Sequence, residues 1–246
     1  MSYTPGYTNN AVDFMRRRSL ETHGQWLEPL LAPGQRILDL GCGPGTITIG
    51  VARRIAPGEV IGIDPESSQV EAARSLAARE NFPPKFEIGR AGELPFTDES
   101  FDGAYAHAVF EHLSNPHNAL LDLRRKLRRG GFAALRSPDW GGFLVHPLSP
   151  DVQQALALYQ EIQTANGGDI HAGRKLGGWL RDAGFKEVKA SATYEVYMDA
   201  AEIAEYLALR IETIAAHLAS ALRNFGAGRD AFFAQAWGEA VGRRED

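Results

Sequence analysis

Residues 36–52 read RILDLGCGPGTITIGVA. A short apolar run meets Gly41, Gly43 and Gly45, and from Thr46 onward apolar side chains resume at helical spacing. Strand, glycine turn and helix in that order open a parallel α/β unit. The rhythm continues downstream. EVIGID, residues 59–64, is a second short strand ending in an acid, residues 67–80 are an Ala-rich helix behind a serine, and residues 85–88 are a third strand. Residues 100–110 supply a fourth strand, 119–127 a helix, and 130–138, opened by Gly-Gly, a fifth strand. Strands separated by helices of this length predict a mostly parallel sheet, covered on both faces and joined by right-handed crossovers.

Outside this block the pattern is different. Upstream, residues 13–31 read as one helix stopped by APG at 32–34. Downstream of Pro138, DWGGFLVHPLSP is turn-rich and aromatic, 151–165 is a helix, and NGGDIHAGRKLGG leads into a helix ending at Ala183 and Gly184. Residues 186–196 alternate as a sixth strand, and 200–222 read as one amphipathic helix. The tail FFAQAWGEAVGRRED is open between a final strand and a helix. The long connection after the fifth strand lies at the carboxyl edge of the sheet, where irregular segments are more often functional than idle.

A chain of 246 residues, 44% hydrophobic and 23% charged, is long enough to bury a real core. A net charge of -5, with both signs scattered, provides no basic field for a phosphate backbone, so no nucleic-acid partner is expected. The opening MSYTPGYTNNAVDF has no apolar core behind a basic flank, and no run of about 18 apolar residues occurs. The expectation is a cytoplasmic protein without a membrane partner. The single cysteine, Cys42, forms neither an internal disulfide nor a cysteine metal cluster. His107 and His112 miss the i, i+4 spacing of a helical ligand pair, so no metal is expected either.

Glycines at the end of a strand let the backbone approach a ligand closely, because no Cβ intervenes. The dinucleotide fingerprint requires a small residue three positions after its second glycine, and here that position is Thr46. The lysine of a phosphate-binding loop is also missing. Asp64, at the end of the second strand, stands beside the first glycine turn in an open parallel sheet, where a carboxylate accepts both hydroxyls of a ribose. Its bland alternative is a turn residue ahead of Ser67.

The successive segments ILDLGCGPG, VIGIDPES, GELPFTDESFDGAYAHAVFEHLSNP and LRRGGFAALRSP resemble the ordered motifs of class I S-adenosylmethionine-dependent methyltransferases. The likeness is greatest to the small-molecule enzymes similar to the ubiquinone and menaquinone C-methyltransferases, and LRDAGFKEV at 180–188 continues it loosely. The resemblance implies a Rossmann-like, doubly wound α/β fold. Its mostly parallel seven-stranded sheet would carry helices on both faces and an antiparallel last strand, drawn here from the tail. The chain would be a single domain, with residues 1–34 as an N-terminal helical lid and 139–172 as a helical insertion covering the acceptor.

The resemblance also implies roles. Gly41 and Gly43 would face the methionine part of S-adenosylmethionine, with Cys42 a small packed side chain, and Asp39 would hold the loop or the cofactor's ammonium group. Asp64 would bind the ribose and Pro65 the adenine, and the backbone of Ala91 or Gly92 would serve the ring. Arg90 departs from the pattern, because relatives commonly carry an aspartate there and a guanidinium has no acceptor. Tyr3 and Tyr7 would fold over the cofactor. One of Arg16, Arg17 and Arg18 would meet its carboxylate, the alternative being a solvated helix face.

His107, at the end of the fourth strand, is the candidate catalytic base, or else a pocket wall. Trp140, Phe143, His146 and His171 are the candidate acceptor residues, the alternative being the core of the insertion. The expected activity is methyl transfer to O, N or C of a small organic acceptor, a secondary metabolite or quinone-like precursor, releasing S-adenosylhomocysteine from a monomer or homodimer. Three rivals stand beside it. A cofactor-binding protein of this fold without methyl transfer would bind and not turn over, a macromolecular acceptor would need motifs that are missing here, and a nicotinamide oxidoreductase would need Thr46 tolerated in the fingerprint.

Overall fold

The computed structural model describes Thr4, Gly6 and residues 9–245. Seven strands form one sheet: β1 Arg36–Leu40, β2 Glu59–Asp64, β3 Lys85–Ile88, β4 Phe101–His107, β5 Leu127–His146, β6 Lys186–Tyr197 and β7 Phe232–Arg243. Their spatial order is β3-β2-β1-β4-β5-β7-β6. β1 to β5 are parallel, and β7 is antiparallel to both β5 and β6. The helices are α1 Asn9–Arg16, α2 Leu20–His23, α3 Thr46–Ile55, α4 Ser67–Ala77, α5 Pro116–Lys126, α6 Pro150–Ala165, α7 Ala172–Asp182, α8 Ala200–Ile211 and α9 Ala216–Gly226.

The pleat of β1 sorts its side chains between two cores. Ile37 joins Leu20, Val51, Ile55 and Tyr105 under α2 and α3, while Leu38 and Leu40 join Leu120, Leu123, Leu176 and Leu180 under α5 and α7. Helices therefore cover both faces, as the alternation of strands and helices predicts. Another core joins α6, α8 and α9 over the far ends of β5 and β7, through Trp140, Leu156, Leu207, Leu222 and Phe233. Gly45 shows how tightly the first turn is packed. Its φ is +80°, and a Cβ there would come within 2.7 Å of the Phe86 ring and 2.9 Å of Ala73. Gly45→Ala is expected to cost about 2 kcal/mol of stability, read from urea denaturation midpoints.

Several boundaries differ from the sequence expectation. The helix expected over 13–31 is broken into α1, α2 and a 3₁₀ turn at Glu28–Leu30, because Ser19 caps a new helix by accepting from the Thr22 N–H and Gly24 closes it. The fifth strand does not end at Pro138. It runs on to His146, absorbing Gly141 and Gly142 where its register against β7 shifts between Asp139 and Phe143. The first part of the 139–172 segment is thus sheet, and only its later part is helical. The helix expected over 200–222 folds back at 212–215, which brings Leu218, Leu222 and Phe225 onto Leu207 and Ile211. No glycine or proline marks that break. The tail is β7, the antiparallel strand.

Candidate functional site

A cleft of about 560 Å³ opens at the carboxyl ends of β1, β2 and β4. The glycine turn after β1 is tied to the neighbouring strand, since the Gly41 and Cys42 N–H groups both donate to the Ile63 carbonyl at 2.8 and 2.9 Å. Gly41 and Gly43 have positive φ, +76° and +51°. A Cβ on Gly41 would lie 2.4 Å from Val109, whereas one on Gly43 would meet nothing nearer than Met15 Sδ at 3.9 Å. The turn leaves open space over Gly43, on the wall of the cleft.

Two acids flank this turn. Asp64 is 8% exposed and held by the Gly43 N–H on Oδ2 and the Glu66 N–H on Oδ1, both at 3.0 Å. Burial raises its pKa against the pull of those two donors. Asp39 is buried deeper, and its Oδ2 accepts from both the Thr48 and Tyr105 hydroxyls at 2.6 Å. Desolvation outweighs these hydrogen bonds and raises Asp39 to about 7. A cation seated beside Asp39 would draw that proton off. Burial and the two neighbouring acids push the Cys42 thiol well above its usual value, which suits a packed side chain and not a nucleophile.

His107 is buried at the end of β4, where Ala108, with φ +58°, turns the chain out of the sheet. Its Nε2 lies 2.9 Å from Arg136 Nη1. A guanidinium only donates, so Nε2 is the acceptor and the neutral ring carries its hydrogen on Nδ1. Burial, with the charges of Arg18 and Arg136, holds the ring well below its usual pKa. The lone pair a general base needs is already occupied. Arg136 also donates to Glu239 at 3.2 Å and lies 4.4 Å from the centre of the Trp237 ring.

Beside the cleft, Glu111 accepts from the Ser137 hydroxyl at 2.8 Å, and desolvation raises it to about 7. Its folded pKa thus exceeds the unfolded value of 4.5. Between the two, the folded chain keeps a proton that the unfolded chain releases, so this stabilisation is present at low pH and lost as pH rises through 7. Buried neutral His107 and His112 act with the opposite sign below pH 6.5, so the Glu111 contribution is read as a difference. Stability of the wild type relative to Glu111→Gln is expected to fall by on the order of 2 kcal/mol from pH 5 to 8 in melts at stepped pH.

Asp39, Gly41, Cys42, Gly43, Asp64, Pro65, Ala91 and His107 line the cleft together. Gly92 does not: the chain turns there, at φ +90°, and its carbonyl accepts from Asn118. Tyr3 and Tyr7 lie outside the described residues. The four acceptor candidates are elsewhere. Trp140 is buried 4.8 Å from Tyr159 in the helical core, Phe143 stacks on Phe233, His146 is exposed at the end of β5, and His171 faces Asp139 at 3.6 Å. The continuation of β5 carries Trp140, Phe143 and His146, and His171 stands at the start of α7; none of the four lines the cleft. The later segment instead reaches the cleft through Asn166 and Gly168, after α6.

Sequence reading also passed over Met15 and Gln69, both on the cleft wall. Gln69 lies in the first turn of α4, five positions after Asp64, where position alone was a signal. Its side chain is 3% exposed, and its Oε1 has no partner among the described residues. Among those residues no three His, Cys, Asp or Glu side chains gather as a metal site, and no helix is long and apolar enough to cross a membrane.

A sheet of this order with one antiparallel strand, carrying a glycine turn and an acid at its carboxyl edge, is the architecture of class I methyltransferases. Residues 38–135 match the methyltransferase-domain family. A fission-yeast protein, described as an uncharacterized methyltransferase of Schizosaccharomyces pombe, is 30% identical over 80% of this chain and 74% of its own length. The 2-methyl-6-phytyl-1,4-hydroquinone methyltransferase 2 of rice is 28% identical over 66% of this chain and 43% of its own length. The YcgJ protein of Bacillus subtilis shares the fold with a TM-score of 0.65 at 17% identity, over 92% of this chain and 99% of its own. The chain thus spans about three quarters of the yeast relative and less than half of the rice one. It belongs to the class I S-adenosylmethionine-dependent methyltransferases.

Proposed function

We propose that the cleft holds S-adenosylmethionine and transfers its methyl group to a small organic acceptor, a secondary metabolite or a quinone-like precursor. The observation that carries this is Asp64, fixed by two backbone N–H groups with lone pairs to spare for a ribose diol. When bound, the cofactor supplies a sulfonium methyl group open to in-line displacement. Gly43 leaves room for the methionine chain, Gly41 lines the same wall, and Asp39 is the acid available for its ammonium group. Pro65 and the Ala91 backbone flank the adenine end, with α1 and its Met15 forming the lid side of the cleft. The protein's part is to align the acceptor and exclude water. His107, with Nε2 occupied by Arg136, serves as a neutral wall and donor rather than as the base.

The Gln69 amide takes over the adenine contact that Arg90 does not offer, because its oxygen is buried, unpartnered and on the cleft wall. Gln69→Leu is expected to weaken S-adenosylhomocysteine binding about 10-fold in calorimetry, through loss of one buried hydrogen bond. The direct test is titration of the wild type with S-adenosylmethionine, S-adenosylhomocysteine and NADH. Micromolar binding of the first two and none of NADH is the expected outcome. Binding of NADH alone would move the protein to the oxidoreductase reading.

A further inference from the structure

Arg18 stands apart from the other arginines around it. Arg16 faces Asp13, Arg17 is held by Glu195 at 2.6 Å and also faces Glu202, and Arg136 is paired with Glu239. The Arg18 side chain makes no hydrogen bond or ion pair among the described residues, and its buried Nε has no partner. It is half-buried, with its guanidinium 5.6 Å from the Trp237 ring centre and 6.0 Å from that of Phe14, and it lines the cleft. Arg17 and His23 both bond Oε1 of Glu195, whose Oε2 is buried without a hydrogen-bond partner among the described residues and whose charge Arg18 feels without a direct ion pair. A cation removed from much of its water, close to the cleft and without a direct ion pair, has donors left over that are complementary to an anion.

His107 adds a second donor on the same cleft. With Nε2 accepting from Arg136, the ring presents Nδ1–H, which is buried and has no partner among the described residues. The His107 ring lies 5.0 Å from Trp237, the ring that Arg18 also approaches. A full positive charge and an unpartnered N–H thus share one side of the cleft.

This side is distinct from the cofactor end. His107 ends β4 and Trp237 lies on β7, whereas Asp64 ends β2, on the other side of β1 in the sheet. We infer that Arg18 and His107 form a subsite for an anionic oxygen, a carboxylate or phenolate, carried by the methyl acceptor. The inference rests on the methyltransferase reading of the cleft and names the chemical class of its acceptor. Where that anionic oxygen is itself the atom that takes the methyl group, it carries no proton to be removed, in keeping with the occupied lone pair of His107.

The test uses calorimetry on the protein saturated with S-adenosylhomocysteine. Benzoate, phenylacetate and salicylate are titrated beside their matching amides, into wild type, Arg18→Met and Arg18→Lys. At least one carboxylate is expected to bind wild type 10-fold or more tightly than its amide. Arg18→Met should abolish that preference, Arg18→Lys should keep part of it, and affinity for S-adenosylhomocysteine should change less than 3-fold in both. Absence of a carboxylate preference in wild type would overturn the subsite.

A 10-fold or greater loss of S-adenosylhomocysteine affinity in Arg18→Met, with 5′-methylthioadenosine affinity unchanged, would also overturn it. That pattern would assign Arg18 to the carboxylate of the cofactor. Failure of wild type to bind S-adenosylhomocysteine at all would instead remove the methyltransferase reading itself, a result visible before any carboxylate is added.

Discussion

Asp64→Ala is expected to weaken S-adenosylhomocysteine binding by about 100-fold, because two charge-assisted hydrogen bonds to a ribose diol together contribute about 3 kcal/mol or more. The loss has two physical sources. The ribose loses its acceptor, and the Gly43 and Glu66 N–H groups lose the carboxylate that fixes the wall of the cleft. Asp64→Asn keeps the shape and one acceptor oxygen, so a loss nearer 10-fold is expected from it. Calorimetry gives the affinities, and thermal melts of the ligand-free variants show that both remain folded. Unchanged affinity in Asp64→Ala would move the ribose, and with it the cofactor, to another part of the cleft.

Arg136→Met is expected to produce the largest loss of stability, about 3 kcal/mol and a fall in Tm of about 10 °C. Arg136 on β5 lies directly opposite Glu239 on β7, which in turn lies opposite Ser191 on β6. Glu239 also accepts from the Ser191 and Thr193 hydroxyls, each at 2.9 Å. Removing the guanidinium leaves a carboxylate of 6% exposure with hydroxyl donors alone and takes the donor from His107 Nε2. Glu239→Gln on the Arg136→Met background removes the stranded charge and should recover at least about 1 kcal/mol. Additive losses in that double variant would show that the two side chains act independently and that the charge ladder does not hold β7 in register.

Much of the catalytic half was legible before any coordinates, for a local reason. The strand, glycine turn and helix of residues 36–52 and the acid-ended strand at 59–64 are contiguous. Their apolar spacing, turn residues and terminal acid specify the same arrangement, and the residues that line the cleft lie within a few positions of the strand ends. The later half was less legible. The fold-back at 212–215 carries no breaker, and the extension of β5 through two glycines depends on pairing with a strand about 90 positions away in the chain. Trp140 and Phe143 were candidates for the acceptor pocket because an aromatic side chain in an insertion packs a core or a ligand equally well. In the structure Trp140 packs on Tyr159 and Phe143 on Phe233.

The three consecutive arginines show where the division falls. Sequence alone determined the class of fold, the glycine turn and the acid beside it, because each is set by residues adjacent in the chain. It also placed three consecutive positive charges on the first expected helix, 13–31. Only the tertiary structure distributed them: Arg16 to a neighbour three residues away, Arg17 to a glutamate 178 positions on, and Arg18 to the cleft with no partner among the described residues. An ion pair depends on distance in space, and the distance between Arg17 and Glu195 is fixed by the whole sheet that lies between them.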